Sequence, residues 1–319
     1  MPTPVLTSRL ALVSAALLAV ASPVVQRAAA QSPPPIIGRW DLVIDAPGRH
    51  HAGFLQVRIS GRSTLVGDFV GVTGSARPIA KVEWTNGDFR FVIPPQWDDA
   101  EGDNTIVGRL TGDSIRGTIS YANGRSVAWR GARAPSLRRT GAPVWGDSVA
   151  LLAGGSLSAW KPVGEAPSQW ALVDGVLTNR ESGADLVTER KFTDFKLHAE
   201  FRYPAGSNSG VYLRGRYELQ IVDTPQGSTA LDSLGSVYGH IAPSQWAGKG
   251  AGEWQTYDVT LVGRTVTVVL NGKTIICERE IPGVTGGALD SDEGAPGPIL
   301  LQGDHGPVEY RNIVITPAK

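Results

Sequence analysis

Two segments of the C-terminal half carry polar side chains at the spacing of one face of a β-strand. The first, residues 214–223, reads Arg-Gly-Arg-Tyr-Glu-Leu-Gln-Ile-Val-Asp. Side chains alternate between the two faces of a strand, so Glu218 and Gln220 share one face while Leu219 and Ile221 share the other. A carboxyl group beside an amide can move a proton and orient a substrate. A solvent-exposed face on an edge sheet is the alternative interpretation.

The second segment brings a histidine to the end of a strand. Gln302, Asp304 and His305 precede a Gly-Pro turn, and Arg311 and Asn312 follow it. A histidine beside glycine at a strand end is accessible, and its near-neutral pKa suits proton transfer. A histidine that only bonds loop carbonyls is the alternative.

A third pattern links Glu218 to Asp223. Glu-Leu-Gln-Ile-Val-Asp resembles the Glu-x-Asp-x-x-Glu bulged strand of retaining laminarinases and lichenases. A bulge there returns the last acid to the face of the first, which places a nucleophile near an acid/base. Here the middle acid is Gln220 and the last is the shorter aspartate. The sequence therefore predicts three catalytic candidates, His305, Glu218 and Asp223.

Other polar and aromatic residues are predicted to hold the substrate, since aromatic rings stack on the apolar faces of sugars. The predicted substrate-binding residues are Asn208, Arg214, Gln220, Tyr238, Trp246 and Gln302. No nucleophile elbow, Walker loop, dinucleotide fingerprint or His-Glu-x-x-His motif occurs in the chain. The lone Cys277 falls in a predicted hairpin strand and is interpreted as a packing residue.

The first thirty residues have the pattern of an export signal. Arg9 precedes an apolar run at 10–20, and Ala28-Ala-Ala30 supplies the small residues of a cleavage site. The run is shorter than the about 20 residues that span a bilayer, and no cysteine lies at the cleavage point. We expect a periplasmic or secreted protein with no membrane span. With 30 basic and 30 acidic residues and no basic cluster, no nucleic-acid partner is expected.

The rest of the chain is predicted to be all-β, because 39 glycines and 22 prolines break it into short strands. Residues 36–133 are predicted to form a small antiparallel β-barrel-like domain whose role is open; Gly38-Arg-Trp40 resembles the opening of lipocalin-like barrels. Residues 134–143, rich in Pro, Gly and charge, are interpreted as a linker. Residues 144–319 have the size of one β-sandwich.

Several blocks of this last part occur in the order of one known family: 195–202, 208–211, 217–223, 252–258, 270–272 and 301–313. Residues 144–319 thereby resemble the 3-keto-disaccharide hydrolase domain. That resemblance implies a concanavalin A-like jelly roll that acts on glycosides already oxidised at C3. It does not cover the N-terminal part.

The implied chemistry begins with the C3 ketone, which acidifies the C2 proton. A base removes that proton, the C1 substituent leaves, and water can add back to give net hydrolysis. His305 or Glu218 could be the base, with Arg214, Gln220 and Asn208 orienting the ring or stabilising the oxyanion. A divalent metal ion is a candidate cofactor, with Glu218, Asp223 and His305 as its ligands.

The expected partners are a small-molecule glycoside as substrate and an upstream sugar 3-dehydrogenase in the same pathway. Two alternatives stay open. One is a non-catalytic glycan-binding module, because jelly rolls serve both uses. The other is a retaining glycosidase built on Glu218 and Asp223.

Overall fold

Nine antiparallel strands near the N-terminus form one meandering sheet. They are β1 (Gly38–Ala46), β2 (Arg49–Ser60), β3 (Thr64–Val70), β4 (Arg77–Ile79), β5 (Glu83–Thr85), β6 (Asp88–Ile93), β7 (Asn104–Thr111), β8 (Ser114–Ser120) and β9 (Ser126–Arg133). Their order is β4-β3-β2-β1-β9-β8-β7-β6-β5. Strand β4 also contacts β6, so the sheet curls back on itself as the predicted barrel-like domain requires. Its concave side holds an apolar core around Trp40, Phe91 and Trp129.

The computed structural model describes residues 1–2, 33–72, 74–96, 101–164 and 167–319. Nearly all of the predicted export signal therefore lies outside the described residues, and export stays a prediction. Within the described part, no helix has the length and apolar character that a membrane span requires.

The C-terminal half is a sandwich of two sheets. The larger sheet contains β10 (Val149–Ala150), β12 (Ala171–Val173), β13 (Val176–Asn179), β15 (Phe195–Arg202), β18 (Gln255–Val262), β19 (Thr265–Leu270), β20 (Lys273–Glu280) and β22 (Val308–Pro317). The five-stranded sheet has the order β11 (Trp160–Val163), β14 (Asp185–Thr188), β21 (Leu300–Leu301), β16 (Asn208–Leu213) and β17 (Tyr217–Val222). One short 3₁₀ helix, Ala153–Gly155, precedes β11.

Alternation along the strands builds the core between these sheets. Leu197 and Phe201 of β15 face Val211 of β16 and Leu219 of β17, all buried in one apolar cluster. The opposite faces are free to carry polar groups. The predicted all-β fold with a C-terminal sandwich is therefore confirmed.

The predicted hairpin turn between β19 and β20 is also present. Asn271 and Gly272 have φ values of 50° and 76°, as a type I′ turn demands, and Leu270 pairs with Lys273. Asn and Gly tolerate positive φ better than other residues, which is why this hairpin could be recognised from the sequence.

Residues 34–319 form one compact unit, and several contacts join the N-terminal sheet to the sandwich. Phe54 and Val70 of that sheet are buried with Val284 of the sandwich, and the Phe54 ring meets the His240 ring edge-on at 5.7 Å. Arg39 also donates to Glu280 Oε1 at 2.5 Å.

The segment 134–143 is held at several points. Leu137 is buried, and Arg139 Nε donates to Asp194 Oδ2 at 2.7 Å. Arg264 Nη2 donates to the Pro135 carbonyl at 2.9 Å. The division of the chain into separate domains at this segment stays a prediction.

The apolar contact at Phe54 should contribute strongly to stability. We predict that Phe54→Ala lowers the free energy of unfolding by about 3–5 kcal/mol, because a fully buried ring leaves a cavity. Urea denaturation of the full chain measures this. Val107→Ala is the control: Val107 is 41% exposed on the same sheet, so it should change stability by less than about 0.5 kcal/mol. Equal effects of the two variants would contradict the prediction.

Candidate active site

The outer face of the five-stranded sheet carries a row of polar groups. Tyr217, Leu219 and Ile221 point into the core, so Glu218 and Gln220 occupy the outer face of β17. In the unbroken register with β16, Glu218 lies opposite Tyr212 and Gln220 lies opposite Gly210.

Gly210 leaves space that the carboxyl group of Glu218 occupies. A Cβ atom at this position would lie 2.5 Å from Glu218 Oε1, closer than atoms can approach. The absence of a side chain at this point of β16 therefore leaves room for the carboxyl group in its observed position.

Glu218 is almost fully buried, and it contacts Tyr212. The Tyr212 hydroxyl lies 2.9 Å from Glu218 Oε2 and 3.0 Å from the Gly286 carbonyl oxygen. The Tyr212 hydroxyl donates to the Glu218 carboxyl group and has the Gly286 carbonyl oxygen as a second acceptor within reach. The two contacts connect this carboxyl group to the loop that carries Gly286.

Burial favours the protonated form of Glu218. It raises the pKa of Glu218 to about 8, and the negative charges of Asp304 and Asp185 act in the same direction. The contact with Tyr212 and the nearby His305 oppose this rise without cancelling it. Glu218 is therefore a neutral carboxylic acid near neutral pH.

Asp185 supplies a second carboxyl group on this face, at the start of β14. Burial raises its pKa to about 6, although its Oδ1 accepts a hydrogen bond of 2.9 Å from the Gly303 amide. Asp185 is thus mainly ionised at neutral pH, whereas Glu218 is not. Such a separation of two pKa values is typical of sites that move protons.

His305 is half exposed at the rim of this face, in the turn after β21. Its Nδ1 is bonded to the carboxylate of Asp304, and this bond is the main cause of the raised pKa of His305. The carboxylate orients the ring and leaves Nε2 free to act as a base.

Three side-chain oxygens near these groups lack a hydrogen-bond partner within the described part of the chain. They belong to Asn208, Gln220 and Gln302, and each oxygen is buried. A buried polar atom without a partner costs about 1–3 kcal/mol. Hydroxyl groups of a bound ligand would satisfy these acceptors.

The structure brings together five of the residues predicted from the sequence: Glu218 and Gln220 on β17, Asn208 on β16, and Gln302 and His305 after β21. The main chain also brings Tyr238 close, because its amide donates to the Glu218 carbonyl at 3.1 Å. Trp246 lies elsewhere, half-buried against the core of the sandwich.

Arg214 does not share this face. Its side chain is fully buried, and Nη2 donates to the Tyr217 hydroxyl at 2.8 Å and to the Gly263 carbonyl at 3.0 Å. Tyr217 belongs to the core side of β17, so Arg214 belongs to a buried network on that side. The prediction that Arg214 lies beside Glu218 is therefore wrong. Arg214 lies in the turn after β16 with φ of 55°, and the sequence pattern did not indicate this turn.

Asp223 is also separated from Glu218. The pairing of β16 with β17 shows no register shift, so no bulge returns residue 223 to the face of residue 218. The Asp223 carboxylate is exposed and accepts a hydrogen bond from the Gly206 amide at 2.8 Å. Its charge helps to raise the pKa of Tyr203.

The set Glu218, Asp223 and His305 is consequently not gathered as ligands for a divalent metal ion. Within the described residues, no group of three or more His, Cys, Asp or Glu side chains could hold a metal ion.

Two residues of the site, Asp185 and Tyr212, were not identified from the sequence. Asp304 was noted, but not as the carboxylate that bonds His305. Asp185 begins a four-residue strand in which Val187 has the same orientation. That alternation could have indicated that Asp185 lies on the outer face, but four residues are too few to establish a two-residue period. The role of Tyr212 depends on the pairing of β16 with β17, which the sequence alone does not fix.

Comparisons with known proteins identify the family of the C-terminal half. Residues 147–316 match the family described as the 3-keto-alpha-glucoside-1,2-lyase-like domain. The chain belongs to this family, and it is a carbohydrate-active enzyme. None of the curated proteins matches the chain.

Solved structures with similar folds include two candidate glycosyl hydrolases from Parabacteroides distasonis. One is 33% identical, with 53% of this chain and 83% of that chain covered and a TM-score of 0.46. The other is 25% identical, with 53% and 98% covered and a TM-score of 0.42. A carbohydrate-binding module from Bacillus subtilis is 11% identical, with 49% and 93% covered and a TM-score of 0.34.

The raised pKa of Glu218 makes stability depend on pH. The folded state holds this proton up to about pH 8, whereas the unfolded chain loses it near the ordinary glutamate pKa of 4.5. The folded state therefore binds more protons within this window, and its stability falls as pH rises through it.

We predict that Glu218→Gln removes this part of the pH dependence. Urea denaturation at about pH 5 and about pH 9 should show the variant gaining stability relative to the native protein at the higher pH. Glu253→Gln, at an exposed position, should show no such gain. A constant difference between native protein and Glu218→Gln across this range would contradict a buried, protonated Glu218.

Proposed function

We propose that this protein cleaves 3-keto-glycosides by elimination and returns water to the product, which gives net hydrolysis. The observation that carries the proposal is the pairing of a protonated, buried Glu218 with the His305–Asp304 pair beside one polar face. A neutral acid that donates to an oxyanion, close to a histidine base, is what enolate chemistry needs.

The proposed route begins with Nε2 of His305, which takes the proton from C2 of the sugar. The C–H electron pair forms the C2–C3 double bond of an enolate, and the negative charge develops on the C3 oxygen. The enolate then re-forms the C3 ketone and a C1–C2 double bond, and the C1–oxygen bond breaks. The protonated His305 delivers its proton to the departing oxygen.

Hydration runs through the same groups in reverse. Water adds its oxygen to C1 and loses one proton to His305. A proton then returns to C2, which restores the saturated sugar. Every atom of the water molecule is found in the products, and the protein ends in its starting protonation state.

Glu218 is assigned the stabilisation of the enolate oxygen. Its carboxyl group keeps a proton at neutral pH because it is buried, and a donor held in a dry site is most effective where charge develops. Tyr212, which is also bonded to the Gly286 carbonyl, holds this carboxyl group in place. Glu218 can exchange its contact with Tyr212 for one with the substrate.

Sugar hydroxyl groups are assigned to the acceptors without partners. The buried oxygens of Asn208, Gln220 and Gln302 are each able to accept from a hydroxyl group. The ionised carboxylate of Asp185 adds a stronger acceptor beside them. A ring lying on this face would be fixed in orientation before the C2 proton is removed.

A retaining glycosidase is a poorer fit to the same geometry. That mechanism requires two carboxyl groups about 5–5.5 Å apart on either side of one bond. Asp223 follows the end of β17, a strand without a bulge, and its carboxylate accepts a hydrogen bond from the Gly206 amide instead of facing Glu218. A module that binds glycans without turnover stays the second candidate, favoured only by the unpartnered acceptors.

The proposed reaction requires a preceding oxidation of the sugar. Its substrate is a glycoside with a ketone at C3, so an oxidation of a sugar at C3, by a 3-dehydrogenase, has to supply it. The export pattern at residues 1–30 would place the enzyme in the periplasm or outside the cell.

The direct test compares a 3-keto-glucoside with its unoxidised parent and follows release of the aglycone. We expect release from the oxidised compound alone, since only its C2 proton is acidic enough to be removed. Binding of both compounds without release would favour the module, and equal turnover of the parent would favour a glycosidase.

Variants of the site sharpen this test. His305→Ala and Glu218→Gln should each lower turnover at least about 10²-fold, which is typical of lost general-base and oxyanion groups. His198→Ala is the matched control, because His198 is bonded to Asp258 at 2.7 Å on the other sheet. Asp223→Asn should have a smaller effect, whereas a glycosidase that depended on it would lose nearly all activity.

A further inference from the structure

A cleft lies between the N-terminal sheet and a loop of the sandwich, and its lining shares no residue with the polar face of Glu218. Its volume is about 1020 Å³, at the large end of the range for ligand-binding pockets. One wall consists of residues of β1, β2, β8 and β9, and the other wall is the loop 289–292. The family match at 147–316 covers only this second wall.

The two walls are complementary in charge. Arg116 and Arg130 lie on the N-terminal sheet, where Arg130 Nη1 also donates to Asp45 Oδ1 at 2.8 Å, while Asp290 and Asp292 belong to the facing loop. Between them lie apolar side chains, among them Val43 and Leu289. A ligand that suits this lining needs groups that both donate and accept hydrogen bonds, together with apolar C–H surfaces.

Asp41 adds a polar group that the protein satisfies only in part, since its carboxyl group is hydrogen-bonded to Glu293. This residue lines the cleft, and its Oδ1 is buried without a hydrogen-bond partner among the described residues. Burial and the neighbouring Glu293 raise the pKa of Asp41. A neutral carboxyl group favours hydroxyl groups over a cation, since it carries no charge to attract one.

The far wall is built firmly enough to bind a ligand. Asp290 Oδ1 accepts a hydrogen bond of 2.7 Å from Arg216 Nε and another of 2.9 Å from the Asp292 amide. The Leu289 amide donates to the Gly215 carbonyl at 2.9 Å. The loop is therefore fixed to the β16–β17 hairpin without any ligand.

We propose that this cleft is a second binding site, and that it takes a neutral saccharide of several residues. Sugar hydroxyl groups would bridge the arginines of one wall and the aspartates of the other, while the apolar floor would contact the ring C–H groups. The site goes beyond the proposed function, because it needs neither a C3 ketone nor the residues around Glu218. It would let the enzyme hold a longer glycan while the other face acts on a sugar.

The test measures hydrogen–deuterium exchange of the full chain with maltotriose, cellotriose or laminaritriose at millimolar concentration. We expect at least one of these sugars to protect residues 113–116 and 289–292. Ala132→Trp should abolish this protection, because Ala132 lines the cleft opposite Asp41 on the neighbouring strand. The apparent affinity should fall at least about tenfold.

Ala128→Trp is the matched control, since Ala128 is exposed on the same face of β9 and does not line the cleft. It should keep the protection. Arg116→Ala is the second cleft variant and should weaken binding even if Ala132→Trp fails to fold. Turnover of a small 3-keto-glucoside should be unchanged in both cleft variants, which separates this site from the proposed reaction.

Two results would overturn the proposal. One is protection confined to residues 208–222 with all three sugars, which would mean that only the face of Glu218 binds saccharides. The other is an equal loss of binding in Ala132→Trp and Ala128→Trp, which would mean that a bulky residue anywhere on β9 interferes.

Discussion

Burial of one carboxyl group constrains the rest of the site. Glu218 lies on the outer face of a strand whose alternate residues fill the core, so it cannot move away without disturbing β17. The desolvated carboxyl group keeps its proton to about pH 8. Gly210 leaves the space that it occupies, and the hydroxyl group of Tyr212 holds it there. The chemistry proposed for the enzyme depends on that retained proton.

The loop after β20 connects this site to the N-terminal sheet. Thr285 accepts the amide proton of Glu218 at 3.0 Å, Gly286 accepts from Tyr212, and Asp290 is bonded to Arg216. Val284, just before them, is buried against Phe54 of the N-terminal sheet. One short segment thus supports the reactive face and also forms a wall of the cleft. The N-terminal sheet is in direct contact with the segment that positions Glu218.

The sequence was sufficient for features that depend on local patterns. Two-residue alternation placed Glu218 and Gln220 on one face, and Asn271-Gly272 marked its hairpin. Features that depend on pairing between strands could not be derived in this way. Asp185 and Tyr212 join the site through the register of β14, β21 and β16, and Arg214 leaves it through a positive φ in a turn. The predicted bulge before Asp223 is absent, because β17 pairs with β16 in one continuous register.

Removal of the C2 proton is the central claim, and solvent deuterium tests it directly. A 3-keto-glycoside is converted in deuterated water, and the released 3-keto sugar is analysed at C2 by mass spectrometry and NMR. The product incubated without enzyme corrects for spontaneous exchange. The account predicts deuterium at C2 in each product molecule, and loss of both release and exchange in His305→Ala. Rapid release of a product that keeps its original hydrogen at C2 would contradict it.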